Sequence, residues 1–128
     1  MMKNILLFII FFYSYIAADS IEDLISSGNL PLAKEKCKEF YHSDQGLYYF
    51  YMGKLTDNGD SAWMNYKKSL MVDPKGKKAD SALYLMTQLS YLKGNYLTSI
   101  KYAEQFFLFF PQSGLKNYFI FLLGKSYL

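Results

Sequence analysis

The chain has no arginine: its 14 basic residues are all lysines, set against 11 acidic residues for a net charge of +3. Arginine supplies the planar fork that reads guanine edges and clamps phosphates, so the positive balance does not point to nucleic acid. The one dense basic run, Lys75-Gly76-Lys77-Lys78, falls in a turn and reads as a solvated loop between helices. A single cysteine, Cys37, excludes an intrachain disulfide framework. With one histidine, His42, no Cys/His set supplies three metal ligands. Glycines occur singly at turns, which leaves no phosphate-cradling cluster.

Chemistry needs a constellation, and few parts are present. A Cys37–His42 dyad would need hydrogen-bond reach and an orienting group, yet Cys37 shares an apolar helical stripe with Leu30, Ala33 and Phe40 while His42 lies past the helix end. Glu22 and Asp23 are adjacent, so on a helix they point about 100° apart rather than converging. Asp57 and Asp60 flank a turn glycine but lack the ordered ligand ladder and closing glutamate of a calcium loop. The expectation is a protein that is not an enzyme and that uses no cofactor and no metal.

What the chain does have is aromatic and aliphatic bulk: 13 tyrosines, 11 phenylalanines and 52% hydrophobic residues, the composition of a packed domain rather than a disordered one. The first segment stands apart. Lys3 precedes an apolar run from Ile5 to Ile16, Ala17 and Ala18 follow, and acids appear at Asp19, Glu22 and Asp23. That order is read as a secretory signal peptide over residues 1–18, cut after Ala18, which exports the mature protein. The alternative is an uncleaved anchor giving membrane association, although Ile5 to Ala18 as a helix spans only about 21 Å against a hydrocarbon core of about 30 Å.

Beyond it, apolar periodicity predicts helices and turn residues separate them. Ile21, Leu24 and Ile25 form one stripe; Leu30, Ala33, Cys37, Phe40 and Tyr41 form the next, with Pro31 in the first turn. Leu47 to Leu55 is almost continuously apolar and would pass for a strand, but its helical neighbours would leave a strand's ladder groups unpaired, so it is read as a helix. Ala62 to Val72, Asp80 to Leu92, Tyr96 to Phe110 and Leu115 to Leu128 complete the series. Gly28-Asn29, Gly59-Asp60 and Gly94-Asn95 punctuate it at intervals of roughly 31 to 35 residues, the range of a helical repeat array.

In these features the chain resembles the tetratricopeptide repeat family, whose units follow W-x2-L-G-x2-Y, A-x3-F and P. Gly94, Asn95, Tyr96, Ser99 and Pro111 match the turn, the small residue and the closing proline of one unit, with Thr87 in the place of its glycine; Gly53, Ala62, Tyr66 and Pro74 match another; Leu123-Gly124-x2-Tyr127 matches a third. The resemblance implies an all-α fold of antiparallel helix-turn-helix repeats stacked as a short solenoid. The units cover residues 20–42, 43–79, 80–114 and, in part, 115–128. Gly53, Ala62, Ser99 and Gly124 would then be the small residues at close helix crossings. Phe106, where the family favours alanine, implies looser or wider packing at that point.

The resemblance also implies a function: a non-enzymatic scaffold holding a protein or peptide in a groove lined by the first helix of each unit. Those positions map to Phe50, Lys54 and Asp57, to Tyr84, Gln88 and Tyr91, and to Tyr118, Phe121 and Lys125. The final helix is apolar nearly all round, which normally requires cover. Two readings follow: the polypeptide is a piece of a longer repeat protein, the preferred one, or the helix supports self-association across a two-fold axis.

Overall fold

The computed structural model describes the backbone of residues 2–128 and the side chains of residues 2–10 and 20–128. Seven helices follow one another: α1 (Met2–Ser26), α2 (Leu30–Lys38), α3 (Gln45–Lys54), α4 (Gly59–Val72), α5 (Ala79–Leu92), α6 (Tyr96–Phe109) and α7 (Lys116–Tyr127). Among the described residues there is no strand, so the chain is all-α. The ambiguous segment at Leu47 is helical in α3, where Leu47, Phe50 and Tyr51 bury a helix-spaced face.

Helix ends follow local chemistry. Asp44 accepts a hydrogen bond from the Leu47 amide at 3.0 Å and Asn58 one from the Ser61 amide at 3.0 Å, each closing an orphan donor in the first turn of α3 or α4. Gly28 and Gly94 both adopt φ +80, the left-handed conformation that ends a helix, and both sit in the same motif. In each, the glycine amide reaches the carbonyl three residues back and the following asparagine reaches five back: Asn29 to Leu24 and Asn95 to Ser90, both at 2.9 Å. Gly59 is different. It is the first residue of α4 and lacks the positive φ, so the three glycine marks of the sequence are two C-terminal stops and one helix start.

The backbone of the first segment continues into the packed domain. No glycine or proline interrupts residues 2–27, and α1 runs through as a single helix. Met2, Ile5, Leu6, Leu7, Phe8, Ile9 and Ile10 are exposed at its start, whereas Ile21 at its far end is fully buried. The expected processing point at Ala18 lies outside the residues whose side chains are described. Among the described residues, no helix is long and apolar enough to cross a membrane.

Helices α3 and α4, α5 and α6, and α6 and α7 pack in antiparallel fashion. Gly46 pairs with Ser69 and Gly53 with Tyr66 across α3 and α4; Asp80 pairs with Ser113 and Thr87 with Ser99 across α5 and the α6 chain; Phe106 pairs with Phe119 and Ser99 with Ser126 across α6 and α7. The core has two parts. One gathers residues such as Ile21, Cys37, Phe50, Tyr51, Tyr66 and Met86 from α1 to α5, and the other Leu83, Ala103, Phe106 and Phe119 from α5 to α7. Leu70 and Tyr102 pack against both and join them.

Small residues sit at the crossings, with one exception. A Cβ on Gly53 would stand 2.5 Å from the Tyr66 ring, so α3 and α4 approach closely only because that atom is missing. Ala62 and Ser99 are likewise buried. Gly124 is not at a crossing: it is exposed with nothing within 4 Å of a Cβ, because no helix covers that side of α7 among the described residues. Of the two expectations at Phe106, looser or wider packing, the looser one is corrected. Phe106 is fully buried and its ring lies 3.6 Å from that of Phe119 at 15°, so the extra bulk fills the space between α6 and α7.

One substitution therefore has opposite effects at two sites. Gly53→Ala is expected to destabilise by about 1 to 3 kcal/mol through overpacking against Tyr66. Gly124→Ala, in open space, is expected to stabilise by about 0.5 to 1 kcal/mol through helix propensity. Urea unfolding midpoints of the two variants in dilute solution check both signs.

Candidate functional site

Charged and aromatic side chains link α1 to α3 and α5 to α7, and Lys78, which precedes α5, reaches α1 and α3; together these side chains form a row. Glu22 on α1 accepts from the Lys54 ammonium of α3 at 2.9 Å. Its other carboxylate oxygen lies 3.8 Å from the ammonium of Lys78, which precedes α5. Both ammonium groups sit over the Phe50 ring, Lys54 at 5.7 Å and Lys78 at 5.9 Å from its centroid. Farther along, Tyr84 on α5 lies 6.1 Å from Tyr118 and 5.2 Å from Phe119, both on α7. Even-numbered helices make their own link, Trp63 on α4 to Tyr102 on α6 at 6.3 Å. Trp63 is half-buried near the α5–α6 turn, as its place beside Ala62 implies, with Lys67 5.3 Å over its ring.

The row holds most of the groove residues read from the sequence, and their roles divide. Phe50 is only 2% exposed, so it is a core residue roofed by two lysines and offers no surface to a partner; this corrects its assignment to the groove. The cause is local: Phe50 packs on Tyr51 and Tyr66 at the tight α3–α4 crossing. Lys54 is half-buried and engaged with Glu22. Tyr84, Gln88 and Tyr91 are half-buried along α5, and Tyr91 leans toward Tyr96 at 5.5 Å, on the helix that follows it. Tyr118 and Phe121 are 60% and 65% exposed, and Lys125 lies 4.5 Å above the Phe121 ring. Asp57 is exposed in the α3–α4 turn.

Glu22 and Lys78 are members of the row that the motif reading missed. The signal for Glu22 was there: counted back from the Gly28 turn, it occupies the level that Lys54 occupies on α3. Taken only as a neighbour of Asp23, it looked like a scattered carboxylate. Lys78 lies outside α5, on a loop whose reach no helical period encodes.

Open cavities lie elsewhere. One of about 400 Å³ is walled by Lys75, Lys77, Asp80, Phe109, Phe110 and Ser113, where Ser113 donates to Asp80 at 2.6 Å. A second of about 220 Å³ lies beside Trp63, Leu89, Lys93 and Thr98, with Lys93 ion-paired to Asp60. Among the described residues, no group of three or more His, Cys, Asp or Glu side chains is placed to hold a metal ion. Cys37 is fully buried and its thiol donates to the Tyr48 carbonyl at 3.4 Å. Burial pushes that thiol up to about 11, so at neutral pH it is not the thiolate a nucleophile requires. His42 is exposed and lies edge-on to Tyr41 at 4.9 Å, away from the thiol's hydrogen bond. The chain matches no protein-family model, no curated protein and no solved structure.

Buried acids of this kind set an alkaline limit. Cys37 is raised from 9.0 to about 11 and Tyr66 from 10.0 to about 12, both chiefly by desolvation, so the unfolded chain releases these protons first. Folding stability from the two groups is intact below pH 9 and falls as pH rises toward 11 and 12. The urea midpoint is expected to decline from about pH 9 upward. In Cys37→Ala the onset is expected to move to about pH 10, where Tyr66 and Tyr102, both raised by desolvation, act. A pH series of urea titrations on both proteins checks the sign and the shift.

Proposed function

We propose that this chain is a non-enzymatic adaptor, a tetratricopeptide-type helical repeat module exported to the bacterial periplasm or envelope, which holds a polypeptide along the row of odd-numbered helices. The observation that carries the reading is the lateral contact of α1, α3, α5 and α7 through Glu22, Lys54, Lys78, Tyr84 and Tyr118, with Tyr118 and Phe121 left exposed at one end. Such a row offers what peptide recognition uses: rigid aromatic area with polar tips, and fixed charges to set register. Tyr84 and Tyr118 are the expected anchors. Lys125 and Gln88 give polar contacts beside them, and the Glu22–Lys54–Lys78 group marks the charged end.

Selection of peptides from a random display library on the full chain tests this. Selected peptides are expected to lose roughly tenfold or more in affinity on Tyr118→Ala and on Tyr84→Ala, about 1.4 kcal/mol or more. Leu92→Ala, on an exposed apolar residue outside the row, is expected to leave affinity unchanged. Selected peptides indifferent to both tyrosines would overturn the assignment of the row.

A second reading keeps the N-terminal segment as a membrane tether, and the continuity of α1 from its exposed apolar start into the packed core favours it. N-terminal sequencing of the mature protein separates the two. A start near Asp19 is the result expected for export with cleavage, and an intact Met1 start would replace the free adaptor with a tethered one.

A further inference from the structure

The two ends of the helix layer differ in charge. At one end lie the turns before α4 and α6, where Gly59 stands beside Leu89 and Lys93 pairs with Asp60. The other end is formed by the stretches that follow α4 and α6, and both of them wall the cavity of about 400 Å³. Over residues 73–78 and 110–116 the charges are Lys75, Lys77, Lys78 and Lys116 against Asp73 alone. Asp73 is half-buried and packed over Gly46 and Gly76, while Asp80, on the cavity wall, accepts from Ser113 at 2.6 Å. Lys78 is held by Glu22. Lys75 and Lys77 are exposed on the cavity wall and in no ion pair among the described residues.

Beside these lysines the same end is apolar. Leu108 and Phe109, at the finish of α6, are 73% and 55% exposed, and Phe109, Phe110 and Pro111 line the cavity with the lysines. The N-terminal helix points the same way. It turns onto α2 at Gly28 through the hydrogen bonds that turn α6 back on α5 at Gly94, so its start projects toward the end at which α2 finishes. That is the lysine end, because Gly46, just after α2, lies against Asp73. Ile10 stands about 18 Å beyond Glu22 along α1, and Ile5, Leu6, Phe8 and Ile10 are exposed there.

We infer that this end of the domain seats on a membrane of anionic phospholipid, with a headgroup phosphate at Lys75 and Lys77 and hydrocarbon against Leu108 and Phe109. Charge complementarity selects the occupant. A neutral apolar partner would leave the two ammonium groups unmatched, and a soluble anion would leave the exposed phenyl and leucine side chains in water. An apolar insertion and a basic patch are the two signals that together hold a protein on an anionic surface. The orientation deepens the tethered reading of α1 and rests on it.

Flotation of the full 128-residue chain with lipid vesicles is the test. Vesicles of phosphatidylcholine report the apolar start of α1, and vesicles that also contain phosphatidylglycerol report the lysines. Partition is expected to rise roughly tenfold or more when phosphatidylglycerol is added. Lys75→Gln combined with Lys77→Gln is expected to remove most of that gain and to leave helicity and partition onto phosphatidylcholine unchanged. Phe109→Ser is expected to lower partition onto the mixed vesicles. Lys34→Gln combined with Lys101→Gln, an equal charge loss at exposed positions within α2 and α6, is expected to keep most of the gain. No gain, or a gain lost equally to both lysine pairs, overturns the proposal. Partition onto phosphatidylcholine without a gain overturns it and leaves the tether in place. A gain that needs Lys75 and Lys77, without partition onto phosphatidylcholine, supports the lysine face and removes the tether. Inorganic phosphate bound through the same two lysines, with no gain on vesicles, overturns the lipid assignment.

Discussion

The spacing between helices rests on side chains too small, or too well satisfied, to hold the helices apart. Gly53 admits the Tyr66 ring to the backbone of α3. Where glycine is not used, hydroxyls take over: Ser69 donates to the Gly46 carbonyl at 2.7 Å, Thr87 to Leu83 at 2.7 Å and Ser90 to Met86 at 2.9 Å, all buried. A serine or threonine bonded to a backbone carbonyl presents little more than a methyl-sized surface and leaves no orphaned polar atom. Ser99 goes further. Its hydroxyl lies 3.2 Å from the Thr87 carbonyl and 3.2 Å from the Ser126 hydroxyl, so one buried oxygen sets the separation of α5, α6 and α7.

The row of odd helices follows from that spacing. Lys54 of α3 reaches Glu22 of α1, and Tyr84 of α5 reaches Tyr118 of α7, each across from the helix that separates the two in sequence. The ion pairs in the row are half-exposed and individually weak, since exposed pairs contribute about 0 to 1 kcal/mol. Their value lies in position. Two lysines held over one phenylalanine and one glutamate make a charged end, and the tyrosines of α5 and α7 make an aromatic one. A bound chain would meet the two in a fixed order.

Much of the architecture was legible in the sequence because it is carried by short-range signals. Helix-spaced apolar residues, the Gly28 and Gly94 stops and the Asp73-Pro74 break locate the helices without reference to neighbours. Three features were not legible, for different reasons. Gly59 resembles the other two marks in composition, but its role is decided by the Asn58 side chain capping the helix it begins. Phe106 departs from the small-residue pattern, and the sequence does not show that its face is met by Phe119 stacked nearly flat against it. Phe50 occupies a groove position by counting, yet the close α3–α4 crossing draws its ring into the core. Spacing along one helix assigns a face; it does not say how far a neighbouring loop lysine reaches across that face.

The same distinction explains why α7 differs from the helices it resembles. Phe119, Leu122 and Ser126 bury one stripe against α5 and α6, which is enough to fix the helix in place. The residues between them, Tyr118, Ile120, Phe121 and Tyr127, would be buried by the same pattern had a helix lain on each side, as α4 and α6 lie beside α5. Apolar periodicity therefore encodes the number of neighbours a helix is suited to, not the number it has within one chain. In α3 and α5 those neighbours are supplied by the next stretch of sequence. In α7 the pattern is equally strong, and among the described residues one stripe, Phe119, Leu122 and Ser126, is satisfied.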